Sequence, residues 1–349
     1  MKKVLALFLI AACSATLVSC GKAKQNRYEA EFLTLFDTMT KIVAYMDDKK
    51  QFTAYANEIH DELETYHQLY DIYHDYKGIN NIKTINDHAG KEPVKVDKKI
   101  LDLLEFAKKS YILTKGETNV AMGSVLKIWH QYREEGVSDP DRAQLPPDRD
   151  LREAAKHMNI DDVIIDEKAS TVFLKDPAMS LDVGAVAKGY AVEQVSRTVK
   201  ADGLDSGLIS VGGNVTAIGA KDRQGDPWNV AIENPDKQSD QDHLKIVLLT
   251  DASLVASGNY ERYYEVNGKR YHHLIDKDTL YPSEYFASVS ILCGDSGMAD
   301  LLSTAVYNMP FEEGAELIES LPGTEAMWVY SDGKLKYSSG FETYVDASK

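Results

Sequence analysis

Leu181-Asp-Val-Gly-Ala-Val-Ala-Lys-Gly-Tyr-Ala-Val192 places a carboxylate (Asp182), two glycines (Gly184, Gly189) and a lysine (Lys188) in one turn-and-helix unit. Met179 and Leu181 read as the end of a strand, and the Ala-rich run from Ala185 to Val199 reads as a helix. A strand that feeds a helix through glycine presents free backbone N–H groups at the helix start, where a phosphate can sit. Lys188 falls in the first turn, where a cation opposes the helix dipole. Two readings stand on these residues: an anion site, or a tight turn with a solvated lysine.

Outward from this unit, short strands dominate the C-terminal half: Val163–Ile165, Thr171–Leu174, Gly207–Val211, Val215–Ile218, Trp228–Ile232, Lys245–Leu249, Ser253–Ser257 and Ser288–Cys293. Asn267-Gly268 supplies the positive φ angles of a hairpin within Tyr263–Tyr271. Met327–Tyr330 and Lys334–Ser338 pair across Ser331-Asp-Gly333. In the N-terminal half, Glu29–Met46 reads as strand interrupted at Phe36-Asp-Thr-Met39. Ile59, Leu63, Tyr66 and Tyr70 recur at helical spacing, as do Ile100, Leu103, Leu104, Ala107 and Tyr111. Val125, Ile128, Trp129 and Tyr132 mark a helix after Gly123; Met298–Met309 and Phe311–Ser320 read as two more. Tyr73–Asn86 and the proline-bearing Asp139–Arg149 read as loops. Runs of strand with interspersed helices predict an α+β fold, mostly antiparallel sheet with flanking helices, in one large domain.

The 349 residues are 44% hydrophobic and 27% charged, an ordinary globular composition. Residues 1–19 stand apart: Lys2 and Lys3, an apolar Val4–Ala12 run, then Leu17-Val-Ser before Cys20. That run is too short for a membrane span and reads as an export signal. A cysteine directly after Leu-Val-Ser resembles a bacterial lipoprotein signal, which implies that Cys20 carries the lipid and residues 20–27 form a tether. Without Lys2 and Lys3 the mature chain has 37 basic against 55 acidic residues, a net charge of −18. So acidic a body excludes nucleic acid as a partner and peripheral attachment to anionic lipid. Attachment to the membrane is then expected through the lipid anchor, on the extracytoplasmic face. Cys293 is left alone in an apolar strand and is expected to pack there, with no internal disulfide.

Three further groups bear chemistry. Gly212-Gly-Asn-Val follows a strand, where paired glycines admit a flat ligand or mark a turn. Asp300 and Thr304, four apart on a helix, share a face, and two oxygens there suit a hard cation such as Mg²⁺ or a solvated surface. His272-His-Leu-Ile-Asp276 ends a strand; adjacent histidines point to opposite faces and do not chelate one ion, so one is expected inward and the other outward.

Asp182-Val-Gly-Ala-Val-Ala-Lys-Gly-Tyr-Ala, Ser210-Val-Gly-Gly-Asn, Tyr271-His-His-Leu-Ile-Asp and Ala299-Asp-Leu-Leu-Ser-Thr-Ala305 occur in the order and approximate spacing of the ApbE family, the FAD:protein FMN transferases. The resemblance covers roughly residues 28 to 345 of a domain placed at 28–349. It implies Mg²⁺-dependent transfer of FMN from FAD to a threonine or serine hydroxyl of another protein, with AMP leaving. That acceptor would be a subunit of a membrane redox complex or an extracellular electron-transfer protein. By the same resemblance Asp182 and Lys188 contact FAD, and Met39, Tyr73, Ala121, Met122, Gly123 and Ile275 line the flavin or adenine pocket. The Ala185 carbonyl, Asp300 and Thr304 hold the magnesium, with Ser303 beside them, and His273 stands at the reaction centre as the base. Two departures from the family pattern bear on the pocket. Leu280 stands where a glycine is usual in Asp276-Lys-Asp-Thr-Leu-Tyr-Pro282, and Asn81-Ile-Lys replaces the usual Ser-Glu-Leu. The alternatives are an FAD pyrophosphatase, with water in place of the hydroxyl, and a lipoprotein that holds FAD without turnover.

Overall fold

A computed structural model of the chain describes residues 25–347. The signal and Cys20 lie outside those residues. The expected α+β architecture is present, built on one eight-stranded sheet whose spatial order follows the chain: Asn26–Leu35, Thr38–Met46, Gly207–Val211, Asn214–Ile218, Ser253–Gly258, Ser288–Cys293, Glu325–Val329 and Leu335–Tyr337. Every neighbouring pair is antiparallel. Side chains alternate between two cores, as the strand repeat of two requires. Ile42 and Ala44 face the larger core with the helices, while Val43 between them faces a smaller one. Ala326 and Trp328 against Met327 and Val329 repeat the pattern.

The larger core carries helices Lys49–Tyr70, Lys98–Leu113, Ala187–Ala201, Ser296–Tyr307 and Phe311–Glu319. The smaller core is closed by a two-stranded ribbon, Trp228–Glu233 with His243–Leu249. A third cluster joins helix Gly123–Ser138 to the hairpin Tyr263–Val266/Lys269–His272 through Val125, Trp129, Tyr264 and Val266. Among the described residues no helix is long and apolar enough to cross a membrane. Cys293 is free and buried, and Thr324 Oγ1 lies 3.7 Å from its sulfur, a packing role as expected.

The paired glycines resolve as a turn. Gly212 and Gly213, at φ +55° and +87°, join two sheet strands in a two-residue hairpin. A Cβ on Gly212 would lie 2.7 Å from Thr38 Oγ1, so the glycine also admits the neighbouring hairpin.

Several expectations need correction. Residues 179–181 form no regular strand; one parallel bridge links Ser180 to Met122. The side chain of Asn86 takes the place of a strand partner, accepting from the Leu181 N–H at 2.7 Å and donating to its carbonyl at 3.0 Å. The following helix starts at Ala187, two residues later than expected, because Gly184–Val186 form the turn. The polar stretch after Tyr73 contains a short helix, Ile82–Asp87, too brief to show periodicity but capped reciprocally by Asn81 and Thr84. In the Asp139–Arg149 stretch, Pro140–Arg142 form a 3₁₀ turn and a helix starts at Asp148, directly after Pro147.

Helices Ala187–Ala201 and Ser296–Tyr307 cross at Gly189. A Cβ there would sit 2.3 Å from Asp300 Cβ and 2.4 Å from the Ser296 carbonyl. Gly189→Ala therefore forces the helices apart. The expected loss is about 1–3 kcal/mol of stability, read as a lower denaturant midpoint. Activity falls with it because Asp300 is displaced; an unchanged midpoint would contradict this packing.

Candidate active site

The site gathers where the 181–192 segment meets helix Ser296–Tyr307. Asp295 caps that helix by accepting from the Met298 N–H at 2.9 Å. Glu193 accepts from the Ser296 N–H at 2.8 Å, and Arg197 joins Glu193 at 2.6 Å and Asp295 at 2.8 Å. One helix thus holds the start of the other. Burial and the nearby Asp295 charge raise the Glu193 carboxyl above its usual range.

Asp300 is not on a solvated face, one of the two readings open from the sequence: it is 5% exposed. Its Oδ2 accepts the Gly189 N–H at 2.7 Å, and Lys188 Nζ lies 4.0 Å from Oδ1. A continuous helix would have closed the Gly189 N–H on the Ala185 carbonyl. Diverting it to Asp300 leaves that carbonyl without the bond. Thr304, one turn on from Asp300, is half-buried. A carboxylate oxygen, an open carbonyl and a hydroxyl are the hard oxygen donors that Mg²⁺ prefers, so these residues fit the ion. Ser303 does not join them. It is fully buried, donates to the Asp300 carbonyl at 2.8 Å and pairs with Ser257 Oγ at 2.8 Å.

Asp182 is 8% exposed, its N–H bonded to the Val120 carbonyl at 2.8 Å and its Oδ1 accepting from Gly184 N–H at 2.9 Å. His130 lies nearby, its Nε2 3.7 Å from Asp182 Oδ2, and its Nδ1 meets the Tyr73 hydroxyl at 2.9 Å. Burial, then the Asp182 charge, pushes the Tyr73 phenol up to about 12, so it stays protonated. Asp71 shapes the loop that carries Tyr73, accepting from the Tyr73 N–H at 2.6 Å and the Tyr76 hydroxyl at 2.7 Å. His130 was invisible in the sequence, because Tyr73 and Asp182 lie more than fifty residues from it on either side.

Met39 and Tyr73 are each 50% exposed. Ala121 is fully buried in the main core, so only its backbone can meet a ligand. Met122 and Ile275 pack in one cluster with Trp129. Gly123 runs against the 180–181 backbone, where a Cβ would come 2.4 Å from the Ser180 carbonyl. Leu280 takes the positive φ, +63°, that the missing glycine would supply. Its carbonyl accepts the Trp129 indole N–H at 2.9 Å and its side chain is buried in that cluster, so the turn survives the substitution.

His272 is buried and His273 is half-buried, so neither stands outward, as one was expected to. His272 is buried, with Nε2 2.8 Å from the Ser283 carbonyl and Nδ1 accepting from the Leu274 N–H at 3.2 Å. Burial lowers its imidazole to about 4, so it is a neutral structural group. The chain leaves the strand after His272, and this frees His273 from strict alternation. The His273 Nδ1 is buried and has no hydrogen-bond partner. Burial, and then the positive charges of Arg262 and others, hold its imidazole well below the usual range. A neutral imidazole with an unspent nitrogen is suited to take a proton.

An eight-stranded antiparallel sheet backed by helices, with the 181–192 turn crossing helix Ser296–Tyr307 at Gly189 and Asp300, is the architecture of a known class of flavin transferases. The chain belongs to the ApbE family, whose model matches residues 36–328. It is 32% identical over 345 residues to the FAD:protein FMN transferase of Treponema pallidum, covering 92% of this chain and 90% of that one. It is 30% identical to a FAD:protein FMN transferase of Klebsiella pneumoniae, covering 78% and 83%. Among solved structures, the ApbE protein of Thermotoga maritima superposes with a TM-score of 0.80 at 27% identity, over 92% of this chain and all of that one.

Proposed function

We propose that this chain transfers FMN from FAD to a threonine or serine hydroxyl of another protein, with AMP as the leaving group. The observation that carries the reading is His273: an unpaired, neutral imidazole nitrogen that feels the charge of Lys188, which itself lies 4.0 Å from Asp300. Asp182, Lys188, Gly123, Met122 and Ile275 would bind and orient FAD, with Met39 and Tyr73 flanking the entrance. Asp300, Thr304 and the Ala185 carbonyl would hold Mg²⁺, which when bound supplies charge neutralisation at the pyrophosphate. His273 would take the acceptor hydroxyl proton. The acceptor is a protein of a membrane redox complex or an extracellular electron-transfer protein.

Hydrolysis of FAD is a second activity of the same site. Met39 and Tyr73 leave the mouth half exposed, so water reaches it when no acceptor covers it. Incubation with FAD, Mg²⁺ and a threonine-bearing acceptor, followed by in-gel flavin fluorescence, tests the reading. Fluorescence on the acceptor band is expected; only free FMN would leave the hydrolase, and intact FAD would leave a flavin-binding protein.

The enzyme is proposed to sit on the extracytoplasmic face of the cell membrane, anchored through lipid on Cys20. Cys20→Ala is expected to abolish acylation and leave the protein unprocessed or soluble, while purified residues 21–349 keep full activity. Membrane retention of a signal-cleaved Cys20→Ala protein would contradict the anchor.

A further inference from the structure

Six of the nine arginines pair with a carboxylate within 4.0 Å. Arg270 instead lies over the Tyr263 ring at 4.0 Å. Among the described residues Arg133 and Arg262 have neither kind of partner, in a chain whose net charge is −16. Their positions converge on one place. Tyr263 pairs with His272 at the end of the hairpin, so Arg262 and His273 leave it side by side, and the Arg262 charge acts on the His273 imidazole. Arg133 follows His130 by three residues on helix Gly123–Ser138, and so shares the face that meets Tyr73. Helix and hairpin are locked together: a Cβ on Gly136 would meet Tyr264 Cδ2 at 2.5 Å, and Trp129 stacks on Tyr271 at 6.2 Å. Both arginines are therefore rooted on a rigid scaffold around His273.

We infer that Arg133 and Arg262 clamp the phosphoryl group during its transfer, as transition-state ligands that bind its non-bridging oxygens. The inference rests on the flavin-transfer reading above and adds to it two residues. In the step, the acceptor oxygen bonds to the FMN phosphorus as the bridging P–O bond breaks. The hydroxyl proton passes to His273, and the electron pair of the broken bond leaves on AMP. Negative charge spread over the equatorial oxygens is what two guanidinium forks match. Partial burial strips Arg133 of hydration and lowers its guanidinium, a cost that a bound phosphoryl anion offsets. After burial, the charges that lower the His273 imidazole most are those of Arg262, His272, Arg133 and Lys188. Arg262, Arg133 and Lys188 are cations, so this cluster serves two ends: it attracts the anion and, after burial, helps keep the base unprotonated.

The test uses the mature chain with FAD, Mg²⁺ and an acceptor protein, and compares Arg133→Met, Arg262→Met, their double variant and the two Arg→Lys variants, each checked for an unchanged melting temperature. In the double variant, kcat for transfer and for hydrolysis should both fall by roughly 10²–10³-fold, the range for removing preorganised charge donors. FAD affinity should move far less, and lysine should restore part of the rate. A second readout is the His273 titration by NMR in the absence of ligand. Removing two cations should move it to higher pH, which reports that both guanidiniums face the same space as the base. The inference is overturned if the variants keep kcat, if they lose FAD affinity at unchanged kcat, or if only the KM for the acceptor rises. An active wild type with active arginine variants sinks this inference alone. A wild type that neither labels the acceptor nor releases FMN sinks the flavin-transfer reading, and this inference with it.

Discussion

His273→Asn slows FMN transfer by roughly 10²–10⁴-fold, the usual range for loss of a general base. FAD binding changes far less, because Asp182, Lys188 and the pocket-lining residues stay in place. The pH profile separates base from binder. Burial and the neighbouring cations hold the His273 imidazole below its ordinary value, near ~6.5 for a free side chain. The neutral form therefore dominates at pH 7, and the rate is flat through the neutral range. It falls only on acidification below the ordinary histidine range, as the imidazole gains its proton. The asparagine variant lacks that acid limb. Stopped-flow or gel-based single-turnover rates at saturating FAD check both points. Normal turnover at saturating FAD with weakened FAD binding would make His273 a binding residue, and the base would have to be sought elsewhere.

How much was legible in the sequence follows from the range of the interactions. Local signals read well. The Asn267-Gly268 hairpin, the period-two strands and the amphipathic helices depend on residues within a few positions of each other, and they stand where expected. The site's oxygen donors were legible as motifs, because Asp300 and Thr304 sit one helical turn apart. Contacts made across the chain were not. Asn86 and Leu181 are 95 residues apart, and no local pattern announces that an amide side chain will replace a strand partner. The fold brings Tyr73 and Asp182 to His130, contacts that no pattern along helix Gly123–Ser138 announces. Leu280 shows the reverse case. Propensity argues against a positive φ there, but burial with Trp129 and one indole hydrogen bond override it.

Asp300→Asn and Asp300→Ala should both abolish activity at low Mg²⁺, but for reasons that stability measurements distinguish. Asp300 supplies the one charged oxygen among the proposed ion ligands, and the same carboxylate accepts the buried Gly189 N–H at 2.7 Å. Asparagine has nearly the same volume and keeps an acceptor for that N–H, so the fold should stay close to wild type. Only the charge is lost. Mg²⁺ affinity should fall by at least about 10–100-fold, the range seen even for groups outside the ligand set. Isothermal titration with Mg²⁺ or Mn²⁺ and the metal dependence of FAD turnover both read this. Alanine removes the acceptor as well and strands the Gly189 N–H between two tightly crossed helices. An unsatisfied buried donor costs about 1–3 kcal/mol, so this variant should also lose stability in denaturant titration. Alanine on a solvated helix face would leave stability unchanged, but Asp300 is buried at a helix crossing. If Asp300→Asn keeps near-normal turnover at low Mg²⁺ while Asp300→Ala loses only stability, the carboxylate is a helix-crossing anchor and the ion binds elsewhere.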